Sequence, residues 1–361
     1  MIAGKGAIQK AGISAELIEE VYMGQVIQAG SGQAPDRQVT LGLGCRKDTP
    51  STTINKVCAS GMKSVMLAAQ AIRVGDRHVM LAGGMENMSL APHLMYLRKG
   101  TAYGHSQAMD IIQSDALTDV YNKILMGTCT EKLCSELGIT RQAQDEYAIG
   151  SYEKARAAQQ NGIFDWEITP IVEKDKKGKE IKIDRDEECQ KFFPDKFSSL
   201  RAVFAKDGTI TPANASKIND GAAAMVVMSE AAAKKHGLKP LARIVSYADA
   251  SVDPIDFGIA PAKATQYALK IAGLEEKDIH FHEINEAFAA VVLANMKLGG
   301  IKAEKVNIHG GAVALGHPLG VSGARILISL LNVLRTKEAK YGMASICNGG
   351  GGASAVILER L

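Results

Sequence analysis

The chain has 361 residues, of which 46% are hydrophobic and 22% charged. These values are close to the average for globular proteins and exclude a disordered chain. The 42 basic and 39 acidic residues give a net charge of +3, which is too balanced for a dedicated nucleic-acid-binding protein. No apolar run approaches the roughly 18 uncharged residues of a membrane span, so we expect neither nucleic acid nor a membrane as a partner.

The six cysteines are scattered along the chain, as is typical of a protein from a reducing compartment. Cys129 and Cys134 are five residues apart and have no second Cys or His pair at ligand spacing, which argues against a zinc site. The residues after Met1 follow a helical pattern rather than that of a signal or transit peptide.

Strand-like and helix-like segments alternate through the first 90 residues. Residues 20–27 predict a strand, residues 60–73 carry apolar side chains at helical spacing, and residues 78–82 predict a short buried strand before two glycines. This rhythm predicts a layered α/β fold with a largely parallel sheet.

The segment 93–208 is more polar and poor in strand patterns, with a helical pattern at 141–160. We interpret it as an inserted loop domain. The α/β rhythm returns in an apolar strand at 221–228, and a linker at 237–240 leads into the last part of the chain. The expected domains are therefore 1–92 with 209–236, the insertion 93–208, and 237–361.

The last part repeats features of the first. Cys58 precedes a helix that begins near Ser60, and His317 precedes a similar Ser-Gly pair at Ser322. In both parts a short strand ending in glycines follows, and in the second part Cys347 stands between that strand and its glycines. The pattern predicts an internal duplication in which groups from both halves meet in one site.

Cys58 and His317 are candidates for nucleophilic catalysis. The unpaired N–H groups and dipole at a helix start favour a thiolate at Cys58, the form that attacks carbonyls. A buried apolar cysteine is the alternative. His317 lies in a turn of glycines and proline, and a histidine titrating near neutrality is the usual base for a thiol. A purely structural histidine is the alternative.

Cys347, the glycines after it and Asn285 are further candidates. Cys347 is a candidate acid and base, and the N–H groups of the four glycines suit an oxyanion hole, although a flexible turn would have the same sequence. The glycine spacing does not fit a dinucleotide-binding loop. Asn285 is a candidate for holding a water molecule or for capping a helix.

Three blocks of sequence together resemble the thiolases, and within them the biosynthetic type. They are Asn55-Lys-Val-Cys-Ala-Ser-Gly-Met-Lys63, Asn285-Glu-Ala-Phe288 with Gly311-Ala-Val-Ala-Leu-Gly-His-Pro318, and Ile346-Cys-Asn-Gly-Gly-Gly-Gly-Ala353. The resemblance covers essentially the whole chain. It implies a duplicated five-layer α/β/α/β/α core with an inserted loop domain, and we expect the first half to lack a strand that the family has ahead of the position of Met1.

The resemblance also implies the role of each site residue. Cys58 takes the acyl group as a thioester, His317 activates Cys58, and Asn285 holds a water beside His317. Cys347 exchanges a proton with the substrate carbon, and the N–H groups of Cys58 and Gly349 form an oxyanion hole. The implied activity joins two acetyl-CoA into acetoacetyl-CoA and CoA, and runs in reverse as thiolysis.

Ligand positions follow from the resemblance as well. No prosthetic group is expected, and CoA is a substrate whose implied contacts are Tyr152, Lys191, Lys196 and Ser216. A potassium ion is implied at Tyr152, Pro212, Ala213, Ala215 and Val313. The family further implies a homotetramer and the mitochondrial matrix, with the cytoplasm as the alternative location.

Other activities stay open at the level of sequence. One is a 3-ketoacyl-CoA thiolase for longer or 2-methyl-branched chains, and another is a decarboxylating condensing enzyme, against which Cys347 argues. A catalytically impaired CoA-binding protein is the third. Leu125 replaces a histidine of the family near the CoA site, so weaker substrate binding is expected.

Overall fold

The computed structural model describes all residues, Met1–Leu361. Its α-helices are α1 (Ile2–Ala11), α2 (Pro35–Gly42), α3 (Ser60–Val74), α4 (Met126–Leu137), α5 (Arg141–Gln160), α6 (Glu230–Lys235), α7 (Ala260–Ala272), α8 (Ala289–Gly299), α9 (Ala312–Leu315) and α10 (Leu319–Thr336). Its strands are β1 (Glu20–Gly24), β2 (Ser51–Ile54), β3 (Val79–Glu86), β4 (His93–Leu94), β5 (Met109–Asp110), β6 (Thr118–Asp119), β7 (Ile124–Leu125), β8 (Ile171–Lys174), β9 (Glu180–Ile183), β10 (Gly221–Met228), β11 (Ala242–Ser251), β12 (Phe281–Ile284), β13 (Tyr341–Asn348) and β14 (Gly352–Arg360).

The first sheet has the strand order β10-β3-β1-β2. Strand β1 runs parallel to both β2 and β3, and β10 runs antiparallel to β3. Strand β1 is shorter than the predicted 20–27, because the N–H groups of Val26 and Ile27 donate to the carboxylate of Glu86 at 3.0 Å instead of to a neighbouring strand. Strand β3 extends beyond the predicted 78–82, since its two glycines still pair with β1.

The second sheet repeats this arrangement in the order β11-β14-β13-β12. The pair β12–β13 is parallel like β1–β3, and β13–β14 is antiparallel like β3–β10. Strand β14 has β11 on its other side, whereas no strand lies on the corresponding side of β10. Strand β2 of the first sheet has no counterpart beside β12. The three strands common to both sheets repeat the same pairing, as the expected duplication requires.

Helices α3 and α10 lie between the two sheets, in a shared hydrophobic core. Glycines bring their backbones into direct contact. A Cβ atom on Gly61 would lie 2.8 Å from the carbonyl oxygen of Gly320, and one on Gly323 would lie 2.5 Å from the backbone nitrogen of Met62. The close approach places the starts of α3 and α10 side by side, and with them the residues that precede each helix.

The outer faces of both sheets are covered by further helices. Alternate residues of β3 face opposite sides: Met80 and Ala82 point to the central helices, while Val79 and Leu81 pack with residues of α1, α2 and α6. On the second sheet, α7 covers the outer face. The predicted five-layer α/β/α/β/α fold is therefore confirmed.

The insertion supplies α4, α5 and short two-stranded pairs, with α5 at the residues predicted for a helix. Helix α10 begins at Leu319, directly after Pro318, so the Ser-Gly pair at Ser322 lies in its first turns. By length and composition α10 could cross a membrane, but 72% of it is buried inside the molecule, as befits a core helix.

Candidate active site

A strained turn presents Cys58 just ahead of α3. Val57 has φ of 47°, a left-handed conformation that β-branched residues rarely adopt. The hydroxyl of Ser60 accepts from the N–H of Lys56 at 2.8 Å and donates to the carbonyl of Val57 at 2.6 Å. These two bonds hold the turn in place, and strain of this kind is typical of functional sites.

The thiol of Cys58 is protonated at rest. Burial raises its pKa to about 12, which contributions from the N–H groups of Gly349 and of Cys58 itself only partly offset. The carboxylate of Glu86 adds to the upward shift. The expected thiolate at the helix start is therefore wrong for the resting site, because desolvation outweighs the helix dipole. Both N–H groups lie close enough to the sulfur to stabilise negative charge there.

Cys347 lies at the end of β13 and is 1% exposed. Burial raises the pKa of its thiol well above the usual range, and the charge of an ionised Cys58 raises it further. Cys58 is therefore close enough for its charge to act on Cys347, although the two cysteines come from different halves of the chain.

His317 is a neutral imidazole with a defined tautomer. Burial lowers its pKa to about 3, and the charge of Arg325 lowers it further. Nδ1 lies 2.6 Å from the hydroxyl of Ser322, which donates its only hydrogen to the carbonyl of Pro318 at 3.0 Å. With its hydrogen on Pro318, the Ser322 hydroxyl accepts from Nδ1–H, which leaves the lone pair on Nε2, where the amide nitrogen of Asn285 lies at 3.5 Å. The sequence analysis missed Ser322, although it stands in the Ser-Gly pair that marks the helix start.

The side-chain amide nitrogen of Asn285 lies 3.5 Å from Nε2 of His317. Asn285 is not a helix cap, since α8 begins at Ala289 with Phe288 as its cap. Its own N–H donates to the carbonyl of Ser345 at 3.0 Å, which ties it to β13. The amide oxygen is buried and has no hydrogen-bond partner in the protein, which suits a bound water or a donor on a substrate.

Glu286 organises the loop ahead of His317 and was also missed. Its buried carboxylate accepts from the hydroxyls of Tyr147 and Ser151 at 2.8 Å and from the N–H of Val313 at 2.9 Å. Asn307 donates to it as well, at 3.0 Å. Helix α5 of the insertion is thereby joined to the segment that leads to His317. The only feature of the sequence that could have indicated a role for Glu286 is its position directly after Asn285.

Glu86 joins the two halves. Besides the N–H groups of Val26 and Ile27, its carboxylate accepts from the N–H of Gly320 in the first turn of α10 at 2.8 Å. Burial raises its pKa despite these three donors. The contact holds the end of β3 against the helix that follows His317.

Residues 215–217 lie between Ala287 and His317. The N–H of Ser216 donates to the carbonyl of Ala287 at 3.1 Å, and the N–H of His317 donates to the carbonyl of Lys217 at 2.9 Å. Burial lowers the pKa of the Lys217 ammonium to about 8. This segment therefore contacts the main chain of His317 directly.

The expected CoA contacts are placed unequally. Lys191 and Lys196 are exposed, with Lys191 paired to Glu188 and Lys196 lying 4.8 Å from the ring centre of Phe193. Ser216 is partly exposed. Tyr152 is 3% exposed, so its ring offers almost no surface to a ligand, contrary to expectation.

The expected potassium positions are Tyr152, Pro212, Ala213, Ala215 and Val313, and the ammonium of Lys217 lies among them. It donates to the carbonyls of Ala215 at 2.7 Å and of Val313 at 3.4 Å, 5.6 Å from the ring centre of Tyr152. Pro212 is exposed. A protein cation thus already binds part of this set, which does not fit an added potassium ion. No group of three or more His, Cys, Asp or Glu side chains could hold a metal.

The description "Thiolase, N-terminal domain" matches residues 1–231, and "Thiolase, C-terminal domain" matches residues 238–360. The chain is 54% identical to the mitochondrial acetyl-CoA acetyltransferase of Rattus norvegicus and 52% identical to that of Homo sapiens. Each match covers 100% of this chain and 84% of the relative.

Solved structures agree. A thiolase from Ascaris suum in complex with coenzyme A has a TM-score of 0.93 at 43% identity, over 99% of this chain and 91% of that one. The acetyl-CoA acetyltransferase of Bacillus anthracis has a TM-score of 0.96 at 38% identity, over 100% and 91%. The chain, in which the two thiolase domains match residues 1–231 and 238–360, therefore belongs to the thiolase family of acyltransferases.

Proposed function

We propose that this protein interconverts two acetyl-CoA with acetoacetyl-CoA and CoA through an acetyl thioester on Cys58. One observation carries the proposal: Cys58 comes close enough to Cys347 for its charge to raise the pKa of that thiol, and the helices that follow Cys58 and His317 are in direct backbone contact. A single acyl transfer needs only one thiol and a base. The second thiol supports a reaction that also moves a proton at carbon.

In the thiolysis direction, His317 Nε2 takes the proton of Cys58 while the sulfur attacks the 3-keto carbon of acetoacetyl-CoA. The bond between C2 and C3 breaks, and Cys347 gives its proton to the resulting carbanion, which leaves as acetyl-CoA. The resting thiol form of Cys347, maintained by its raised pKa, is the form this step requires. The N–H groups of Gly349 and Cys58 stabilise the developing oxyanion on the acyl group.

The second half-reaction regenerates the site. The sulfur of CoA attacks the acetyl carbon on Cys58, and the proton of CoA returns Cys347 to its thiol form. Cys58 leaves and recovers its proton from His317. Asn285, whose buried amide oxygen has no partner, holds a water or substrate donor beside His317 during both steps. The condensation is the same sequence in reverse.

CoA binding is assigned to the insertion, 93–208, and to the segment before β10. Lys191 and Lys196 are exposed and offer positive charge to the phosphates of CoA, and Ser216 lies next to the carbonyl that accepts from His317. The crystal structure of the Ascaris suum thiolase, which contains coenzyme A, supports this ligand. A mitochondrial location is proposed from the mitochondrial relatives, and a homotetramer is proposed from the family resemblance alone.

The test follows the enolate absorbance of acetoacetyl-CoA after CoA is added to the purified protein. Cys58→Ala should abolish turnover and labelling by radioactive acetyl-CoA. Cys347→Ala should lose about 10²–10⁴-fold in thiolysis but still accept the acetyl label on Cys58. Cys45→Ala is the matched control, because this buried thiol lies in the core cluster of the first sheet with α1 and α2, which contains none of the proposed catalytic residues.

Label on Cys347 in the wild-type protein, or full turnover by Cys58→Ala, would overturn the assignment. Longer 3-ketoacyl-CoA and 2-methylacetoacetyl-CoA are assayed in parallel. A higher kcat/KM for either of them would replace the proposed substrate with the longer or branched one.

A further inference from the structure

We infer that the ammonium group of Lys217 is a built-in cation for the carbonyl cluster beside His317, so that the protein needs no potassium ion there. The inference rests on the proposed function only for its activity readout. Its geometry is independent of the reaction. Lys217 Nζ donates to the carbonyl of Ala215 at 2.7 Å and to that of Val313 at 3.4 Å, and it faces the ring of Tyr152.

The surroundings of Lys217 are those of a bound monovalent cation rather than of an ion pair. No carboxylate lies within salt-bridge distance of its Nζ, although most surface lysines with partners in this protein pair with one. Instead the ammonium is held by carbonyl oxygens and by an aromatic face, which are neutral groups that attract positive charge.

A second cation cannot share this cluster at low cost. Two unit charges about 4 Å apart near a protein surface repel strongly enough to weaken binding by roughly 10³-fold. The carbonyls of Ala215 and Val313 also have their lone pairs directed to Lys217 already. Potassium at these positions would have to displace the side chain first.

Lys217 positions the base through two contacts on one loop. Its Nζ holds the carbonyl of Val313, and its own carbonyl accepts from the N–H of His317 at 2.9 Å. Glu286 accepts from the N–H of the same Val313 at 2.9 Å. The loop that ends at His317 is therefore held from both sides, by a carboxylate and by an ammonium. Lys217 is a positioning residue and does not touch the reacting atoms.

The first experiment uses the wild-type protein, so it does not depend on the folding of a variant. Melting temperature, thiolysis rate and binding of radioactive rubidium, a potassium substitute, are measured in KCl and in choline chloride at equal ionic strength. We expect the same melting temperature and rate in both salts and no saturable rubidium binding. A saturable rise in any of the three with potassium or rubidium would overturn the inference.

The second experiment empties the position. Lys217→Ala in choline chloride should lose roughly 10–100-fold in kcat with a smaller change in KM, because hydrogen bonds from a charged group are lost at the loop of the base. KCl should restore activity and melting temperature in a saturable way, with rubidium bound at about one ion per chain.

Two further variants serve as controls. Lys217→Met keeps the length of the side chain without its charge, so it should stay impaired in both salts. Lys239→Ala removes an exposed lysine from the linker and should behave like the wild type. Lys217→Ala with wild-type activity and melting temperature in choline chloride would refute the role. Because rubidium binding and melting need no turnover, they test the cation site even if the proposed reaction is wrong.

Discussion

Removing the hydroxyl of Ser322 tests whether one hydrogen bond fixes the tautomer of the base. In Ser322→Ala, Nδ1–H of the buried His317 loses its acceptor at 2.6 Å. A buried donor without a partner costs about 1–3 kcal/mol, so the imidazole gains the same amount by moving its proton to Nε2. The population of the tautomer with a free Nε2 lone pair then decreases by a factor of about 5 to 150.

The assay compares three readouts. Thiolysis should lose about 5- to 150-fold in kcat, in proportion to the lost tautomer, while KM stays close to the wild-type value because Ser322 is fully buried and touches no substrate. Alkylation of Cys58 by iodoacetamide should slow by a similar factor, since it needs the same base. Urea unfolding reports the accompanying loss of stability.

Ser329→Ala is the matched control. This serine lies on the same helix, is 4% exposed and donates to the carboxylate of Glu167 at 3.1 Å, so its loss costs a comparable hydrogen bond. Both variants should lose stability, and only Ser322→Ala should lose rate. Equal kcat and equal alkylation of Cys58 in Ser322→Ala and the wild type would refute the tautomer argument.

Three further predictions follow from the same site. Burial lowers the pKa of His317 to about 3 in the folded protein, whereas the unfolded imidazole has a pKa near 6.5. Below pH 6.5 the unfolded state therefore binds more protons, and the stability of the folded protein decreases as the pH is lowered. When the pH is lowered from 7 to 4.5, the free energy of unfolding in urea should decrease by about 2–3 kcal/mol less for His317→Asn than for the wild type. An equal decrease in both proteins would contradict the lowered pKa of His317. Ser60→Ala should release the strained turn at Val57, because both hydrogen bonds of the Ser60 hydroxyl are lost. The free energy of unfolding should fall by about 1–2 kcal/mol, and acetyl labelling of Cys58 should become slower. Unchanged labelling would contradict the role of the turn. Leu125→His should lower KM for CoA substrates more than it raises kcat, and steady-state kinetics showing only a kcat gain would place this residue outside substrate binding.

Local patterns predicted the elements that carry the site. Helical spacing located α3 and α5, because each buries one face, and an apolar run located β10, because both of its faces are packed. The same local patterns predicted that Cys58 and His317 each precede a helix. Their meeting in space depended on the duplication, which short repeated motifs indicated.

The residues that support the site could not be found in this way. Glu86 accepts from Gly320 across 234 positions of the chain, and Lys217 reaches Val313 across 96. No local pattern encodes such contacts. The protonation of Cys58 was mispredicted for a related reason: the helix start is visible in the sequence, but the burial that outweighs it depends on the whole fold.

The glycine contact between α3 and α10 makes the spacing of the active site a property of two peptide backbones. Side chains elsewhere can be exchanged and repacked, but nothing smaller than glycine exists to compensate for a change here. Any substitution at Gly61 or Gly323 acts as a wedge against main-chain atoms of the facing helix. Such a wedge would separate nucleophile from base without altering either residue. Substitutions of these glycines should therefore lower activity as the loss of a catalytic side chain does. Sequence changes that preserve activity are then expected outside this contact.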